Sequence, residues 1–131
     1  MSIPTQRTLA ALRDRGVLCD ITERYIRFGG SPLGIRKDFL GFGDIVGIEP
    51  GKRGALAVQS CGSSYSSHLK TILDSECSEN VIKWLEAGNR LELWGWRRVK
   101  VHRGGKAKRW KPRVREITLE DFGCPTCTSR G

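Results

Sequence analysis

The chain doubles back between two apolar runs. Asp44-Ile45-Val46-Gly47-Ile48 and Ala55-Leu56-Ala57-Val58-Gln59-Ser60-Cys61 flank the segment Pro50-Gly51-Lys52-Arg53-Gly54. Proline presets a turn φ and glycine accepts a positive one, so the stretch predicts a β-hairpin. With Ile48 opposite Ala55, the antiparallel register sets Asp44 opposite Gln59. Side chains alternate along a strand, so Asp44, Val46 and Ile48 share one face with Gln59, Ala57 and Ala55. A slip of one residue would separate the two polar groups.

The rest of the chain reads as elements around that hairpin. The spacing of Leu9 and Leu12 predicts a helix over 5–15, ended by Gly16. Residues 17–26 alternate like a strand, and 28–34, with Gly29, Gly30, Pro32 and Gly34, read as a loop. After the hairpin, Leu69, Ile72 and Leu73 predict a helix over 64–76. A second helix follows over 79–87, with Ser78 as its cap and Gly88 as its stop. Residues 90–96 alternate like a strand, Gly104-Gly105 marks a turn, and 111–119 return as a strand. The order is α-β-β-β-α-α-β-β, which predicts an α/β domain with helices packed on a mixed sheet. Residues 1–122 form this single domain, including a basic hairpin over 97–115, and residues 123–131 read as a flexible tail.

The chain carries 23 Lys and Arg against 14 Asp and Glu, a net charge of +9. Such an excess favours a polyanionic partner, most often nucleic acid. It is concentrated in one arm: Arg97, Arg98, Lys100, Arg103, Lys106, Lys108, Arg109, Lys111, Arg113 and Arg115 follow one another without an acid. Cations of this density neutralise phosphates and release counterions. Trp110 lies inside the run, and an exposed tryptophan stacks on unpaired bases. The plainer reading is a solvated edge hairpin whose charge prevents strand-to-strand aggregation. Trp94 and Trp96 suit the core as well as the arm.

The polar pair in the central hairpin suits a divalent cation. Magnesium takes hard oxygen ligands, often one or two carboxylates with waters and a substrate phosphate. Asp44 is the first ligand, the Gln59 side-chain carbonyl a second and a backbone carbonyl near Ser60 a third. Glu23, at the end of the preceding strand, completes the set, and Asp38 is a weaker candidate. The alternative is ordinary: an aspartate that caps a turn and a strand-end amide.

Asp44 followed by Gln59-Ser60-Cys61 resembles the motif of the PD-(D/E)XK nuclease superfamily, and the segment from Arg36 to Asp44 is similar to small phage and bacterial members related to Holliday-junction resolvases. The resemblance implies a restriction-endonuclease-like core, αβββαβ around a four-stranded mixed sheet, spanning about residues 5–96. It assigns Asp44 to the motif aspartate, Gln59 to the motif glutamate position and Glu23 to an additional acid. It implies a DNA endonuclease dependent on magnesium or manganese, acting on branched DNA as a homodimer in the cytoplasm of a bacterial or phage-infected cell. Two departures stand out. Gly43 replaces the proline, and Cys61 stands where the motif has its lysine. The superfamily relocates that lysine, often to the next helix, so Lys70 is the first substitute and Lys37 the second. With no lysine in reach, the expectation becomes a nucleic-acid-binding module that has lost catalysis.

Other signals carry less. The cysteines Cys19, Cys61, Cys77, Cys124 and Cys127 form no disulfide framework and fit a reducing setting. Cys124-Pro125-Thr126-Cys127 lacks the second pair that a zinc site needs. Ser66, Ser67 and His68 have no nucleophile-elbow signature, and Gly41-Phe42-Gly43 lacks a third glycine. No apolar run reaches membrane-spanning length.

Overall fold

A computed structural model describes residues 3–22, 24–27, 34–37 and 39–122, with 24–27 and 34–37 described as backbone. The elements are α1 (Ile3–Asp14), β1 (Leu18–Ile21), β2 (Arg24–Arg27), β3 (Gly34–Lys37), β4 (Ile45–Ile48), β5 (Leu56–Cys61), α2 (Tyr65–Leu73), α3 (Ser78–Glu86), β6 (Arg90–Lys100) and β7 (Lys108–Ile117), followed by a short 3-10 turn, Leu119–Phe122. Five strands make one sheet in the order β1-β4-β5-β6-β7. All its neighbours are antiparallel except β5 and β6, which the α2–α3 crossover makes parallel. The protein is therefore α/β, with a mixed sheet flanked by helices.

Helices cover both faces. Against one face, α1 packs Leu12 onto Ile45, Leu56, Val58, Trp94 and Trp96. Against the other, α2 and α3 pack Tyr65, Ile72 and Val81 onto Ala57, Cys61, Leu91 and Leu93. Both tryptophans at 94 and 96 are core. The buried stripe of α1 is Thr5, Thr8 and Leu12, with Leu9 partly buried against the same cluster. Thr8 is tolerated there because its hydroxyl is fully used. Thr8 Oγ1 donates to the Pro4 carbonyl at 2.9 Å and accepts from Trp96 Nε1 at 2.7 Å, and it lies 2.8 Å from Ser60 Oγ.

Several boundaries differ from the sequence reading. The strand expected over 17–26 is two strands in two sheets: β1 pairs with β4, while β2 pairs with β3 in a separate ribbon. Residues 34–37, of which the sequence reading gives Gly34 to a loop, supply that second partner. Helix α2 stops at Leu73, where the Asp74 N–H turns back to the Lys70 carbonyl at 2.8 Å. Ser78 is the first residue of α3 and not its cap. Cys77 holds the cap position without a side-chain bond, and its carbonyl accepts from Val81 at 3.0 Å. The last hairpin is longer at both strands than expected. Residues 28–33 of the expected loop and the 123–131 tail, with its Cys124 and Cys127, lie outside the described residues. Among the described residues no helix is long and apolar enough to cross a membrane.

Candidate active site on the central hairpin

The hairpin register is the one expected. Ile45 pairs with Val58, Val46 with Ala57 and Gly47 with Leu56. The ladder ends at Ile45. The Asp44 N–H donates at 2.8 Å to the Val58 carbonyl, one residue short of Gln59, and the Thr22 N–H donates to the Asp44 carbonyl at 2.9 Å, so Asp44 and Gln59 meet through their side chains. Asp44 is thus backbone-clamped between β1 and β5 at the mouth of β4.

The turn before it is equally fixed. Phe39 and Gly43 exchange backbone bonds at 2.7 and 3.0 Å. Phe42 is fully buried and sits edge-on to Phe39 and Trp84. Asn80 of α3 donates to the Leu40 carbonyl at 3.0 Å. Leu40 has φ +53°, an uncommon conformation for a residue with a side chain, and Gly41 follows it at +86°. The Gly41-Phe42-Gly43 segment that lacks a dinucleotide signature is a tight, anchored turn that delivers Asp44.

Asp44 is 5% exposed. Its Oδ2 accepts the Ser60 N–H at 2.8 Å and the Gln59 side-chain amide at 3.3 Å. These details correct two expectations. The group of Ser60 that meets Asp44 is its N–H and not a carbonyl. Gln59 likewise presents its NH2 end, because a carboxylate demands a donor. A cation between the two would need the oxygen end, which a half-turn of the terminal torsion supplies.

His68 is the residue that sequence reasoning missed at this site. Its Nδ1 stands 3.4 Å from Gln59 Nε2. Gly41, Gln59, Ser67, His68, Thr71 and Ile72 line a cleft of about 180 Å³ between the turn, β5 and α2. The available signal was helical spacing: His68 is four residues before the buried Ile72, hence on the same side of α2. The same geometry puts Lys70 elsewhere. It is two residues from both, about 160° around the helix, and it is exposed and not part of the cleft lining. The side chain of Lys37 is outside the description, as are Glu23 and Asp38. The backbone of Lys37 pairs with Arg24.

Cys61 follows on the same face as Gln59. Burial, with the Asp44 charge adding to it, pushes its thiol up to about 11. It is a neutral group at physiological pH and supplies no cation where the motif has a lysine. Among the described residues no cluster of three or more His, Cys, Asp or Glu side chains is arranged to hold a metal ion.

The basic arm forms the far side of the sheet. β6 and β7 pair without interruption from Leu91–Ile117 to Lys100–Lys108. Arg97, Arg98, Lys100, Arg103, Lys106, Lys108, Arg109, Trp110, Lys111 and Arg113 are all exposed, as the sequence implied. Arg97 faces Lys111 and Lys100 faces Lys108, like charges directly opposed. Such pairs destabilise a sheet unless an anion relieves them. No family model, curated protein or solved structure matches this chain.

Proposed function

We propose that the protein is a metal-dependent DNA endonuclease of the restriction-endonuclease-like type, with Asp44 at its centre. The observation that carries this reading is the placement of Asp44 at the mouth of β4, its carboxylate bonded to the Gln59 side chain, which lines a cleft. The element order supports it. Leaving aside the β2–β3 ribbon, the described elements run α-β-β-β-α-α-β-β, and the parallel pair of β5 and β6 follows the helical crossover.

The donor set fits a hard cation. Asp44 and the oxygen end of Gln59 are oxygen ligands, and magnesium is satisfied by one or two protein groups plus waters and phosphate. The protonated thiol of Cys61 disfavours a soft metal. Glu23 is the further ligand in this reading, supported by the bond between Thr22, its chain neighbour, and Asp44. Magnesium or manganese bound there supplies positive charge against the phosphodiester and acidifies the attacking water. The Ser60 N–H holds the Asp44 carboxylate in place, and His68 holds the Gln59 amide. The exposed arm keeps the nucleic acid against the sheet. Lys37 is the lysine assigned to the attacking water, since Lys70 faces solvent. Branched DNA and a homodimer complete the reading, because symmetric cuts across a branch need two sites; sedimentation of the protein alone and with DNA tests the dimer.

One observation favours a second reading. Asp44 already satisfies two buried donors, and Cys61 is neutral, so the same constellation serves as a structural clip in a binding module without catalysis. Cleavage of end-labelled four-way junction, flap, duplex and single-stranded DNA with magnesium, manganese or chelator separates them. Metal-dependent cutting lost in Asp44→Asn supports the endonuclease. Salt-sensitive binding with no cutting under any metal supports the module.

A further inference from the structure

The ten cations of the arm read as one block in the sequence, but the β6–β7 register sorts them onto two faces with different chemistry. Residues directly opposite one another share a face, and faces alternate along each strand. Gly95 lies against Tyr65 of α2, so its face is the cleft side of the sheet. Arg97 follows Gly95 on that face, and Arg109, Lys111, Arg113 and Arg115 oppose its members. This face is cationic: Arg113 stacks over Tyr65 at 4.2 Å, and among the described residues Arg115 alone has an acid partner, Asp121 at 2.7 Å. It is also level with the site, since Gln59 pairs with Leu93 and Leu93 with Arg115.

The opposite face, on the α1 side, is mixed. Trp110 opposes Arg98, and Lys100 opposes Lys108. Arg7 of α1 lies 4.0 Å from the centre of the Trp110 ring, with Arg98 at 6.0 Å. The indole is nevertheless 45% exposed, and Val114 on the same face is 46% exposed. A flat aromatic ring braced by guanidinium groups and bordered by lysines suits an unpaired base and its phosphates. A row of cations whose one aromatic neighbour, Tyr65, is buried suits the backbone of a duplex, which offers no open base faces.

We infer that the β6–β7 arm is a wedge for DNA at a junction between paired and unpaired strands. The cleft-side face follows the duplex backbone, and Trp110 receives a base from the strand that leaves it. The inference rests on the proposal that the partner is DNA, and it assigns the paired and unpaired parts of a branched substrate to separate faces of the arm. It does not depend on cutting.

Binding in chelator isolates it from catalysis. The probes are a labelled duplex, the same duplex ending in two unpaired arms, and the corresponding single strand, followed by fluorescence anisotropy at several salt concentrations. The expected result is tighter binding to the forked DNA than to the duplex. Trp110→Ala should weaken the fork about tenfold, in the range of one stacked base, and leave the duplex within about twofold. Trp110→Phe should recover most of the loss. Arg97→Ala with Lys111→Ala should weaken fork and duplex alike and reduce the salt slope by about 2. Equal binding of fork and duplex overturns the inference. So does a Trp110→Ala effect that is absent or equal on both, in protein whose thermal unfolding matches the parent. A protein that prefers forks yet never cuts keeps the wedge and loses the endonuclease, and one that cuts without fork preference does the reverse.

Discussion

Asp44 reaches across the hairpin to the main chain of Ser60, its Oδ2 accepting that N–H at 2.8 Å. The bond joins the mouth of β4 to β5 in the buried interior, where an unanswered N–H is costly. The residue therefore has a structural duty whatever its chemistry. Asp44→Ala leaves the Ser60 N–H and the Gln59 amide without that acceptor and should cost about 2–4 kcal/mol in urea unfolding. Asp44→Asn keeps an oxygen there and should cost about 1 kcal/mol. Both should abolish metal-dependent cutting, so Asp44→Asn is the cleaner control. Retained cutting in Asp44→Asn would remove Asp44 from the metal.

In the proposed endonuclease two lysines compete for the role of the lysine that Cys61 replaces. Lys70 lies on the solvent side of α2. Lys70→Ala should leave the cleavage rate within about twofold, and Lys37→Ala should lower it by about a hundredfold, the scale of one positioned catalytic group. Single-turnover rates at saturating protein read this directly. The opposite ranking would mean that the Lys70 chain bends around the helix into the site.

Thr8 gathers three partners beneath α1. Thr8→Val keeps the shape and removes the hydroxyl, leaving Trp96 Nε1 and Ser60 Oγ without it. A loss of about 2–3 kcal/mol is expected, with a change in tryptophan emission because Trp96 is one of the affected groups. An unaltered unfolding midpoint would show that water takes the place of the hydroxyl.

Gly95 admits Tyr65 to the sheet. A β-carbon there would stand 2.6 Å from the tyrosine ring. Gly95→Ala should cost about 1–3 kcal/mol through forced repacking. Combining it with Tyr65→Ala should recover part of that cost, a coupling that a double-mutant cycle measures. Additive losses would place the strain elsewhere.

Cys61 gives a pH signature. Burial raises its thiol to about 11 from an ordinary value of 9.0. Between these limits the folded protein holds a proton that the unfolded chain has released. Stability from this group is therefore full below about pH 9 and falls as pH rises toward 11. Cys61→Ser should flatten that decline. At neutral pH the folded thiol should resist alkylation while urea-unfolded protein reacts, as mass spectrometry of the peptide would show.

The hairpin register, its polar pair and the charged arm were legible in the sequence because each depends on local chemistry. A turn with Pro50 and Gly51 fixes which residues oppose, and alternation then fixes which share a face. Helix existence was legible for the same reason, from apolar spacing over short distances. The split of residues 17–26 was not, because β2 belongs with β3 rather than with the main sheet, and strand partners are chosen by competition between distant segments. Nor was the place of His68 in the cleft, or the solvent-facing side of Lys70, because both depend on which side of α2 packs on the sheet. Trp94 and Trp110 carry the same indole. One is buried beneath α1 and the other, met there by Arg7, stays exposed, because α1 covers only part of β6 and β7. The sequence by itself determined which residues form the polar pair of the hairpin and the basic arm. Tertiary packing alone decided which neighbours surround that pair and which cations face the cleft, since both follow from contacts between segments far apart in the chain.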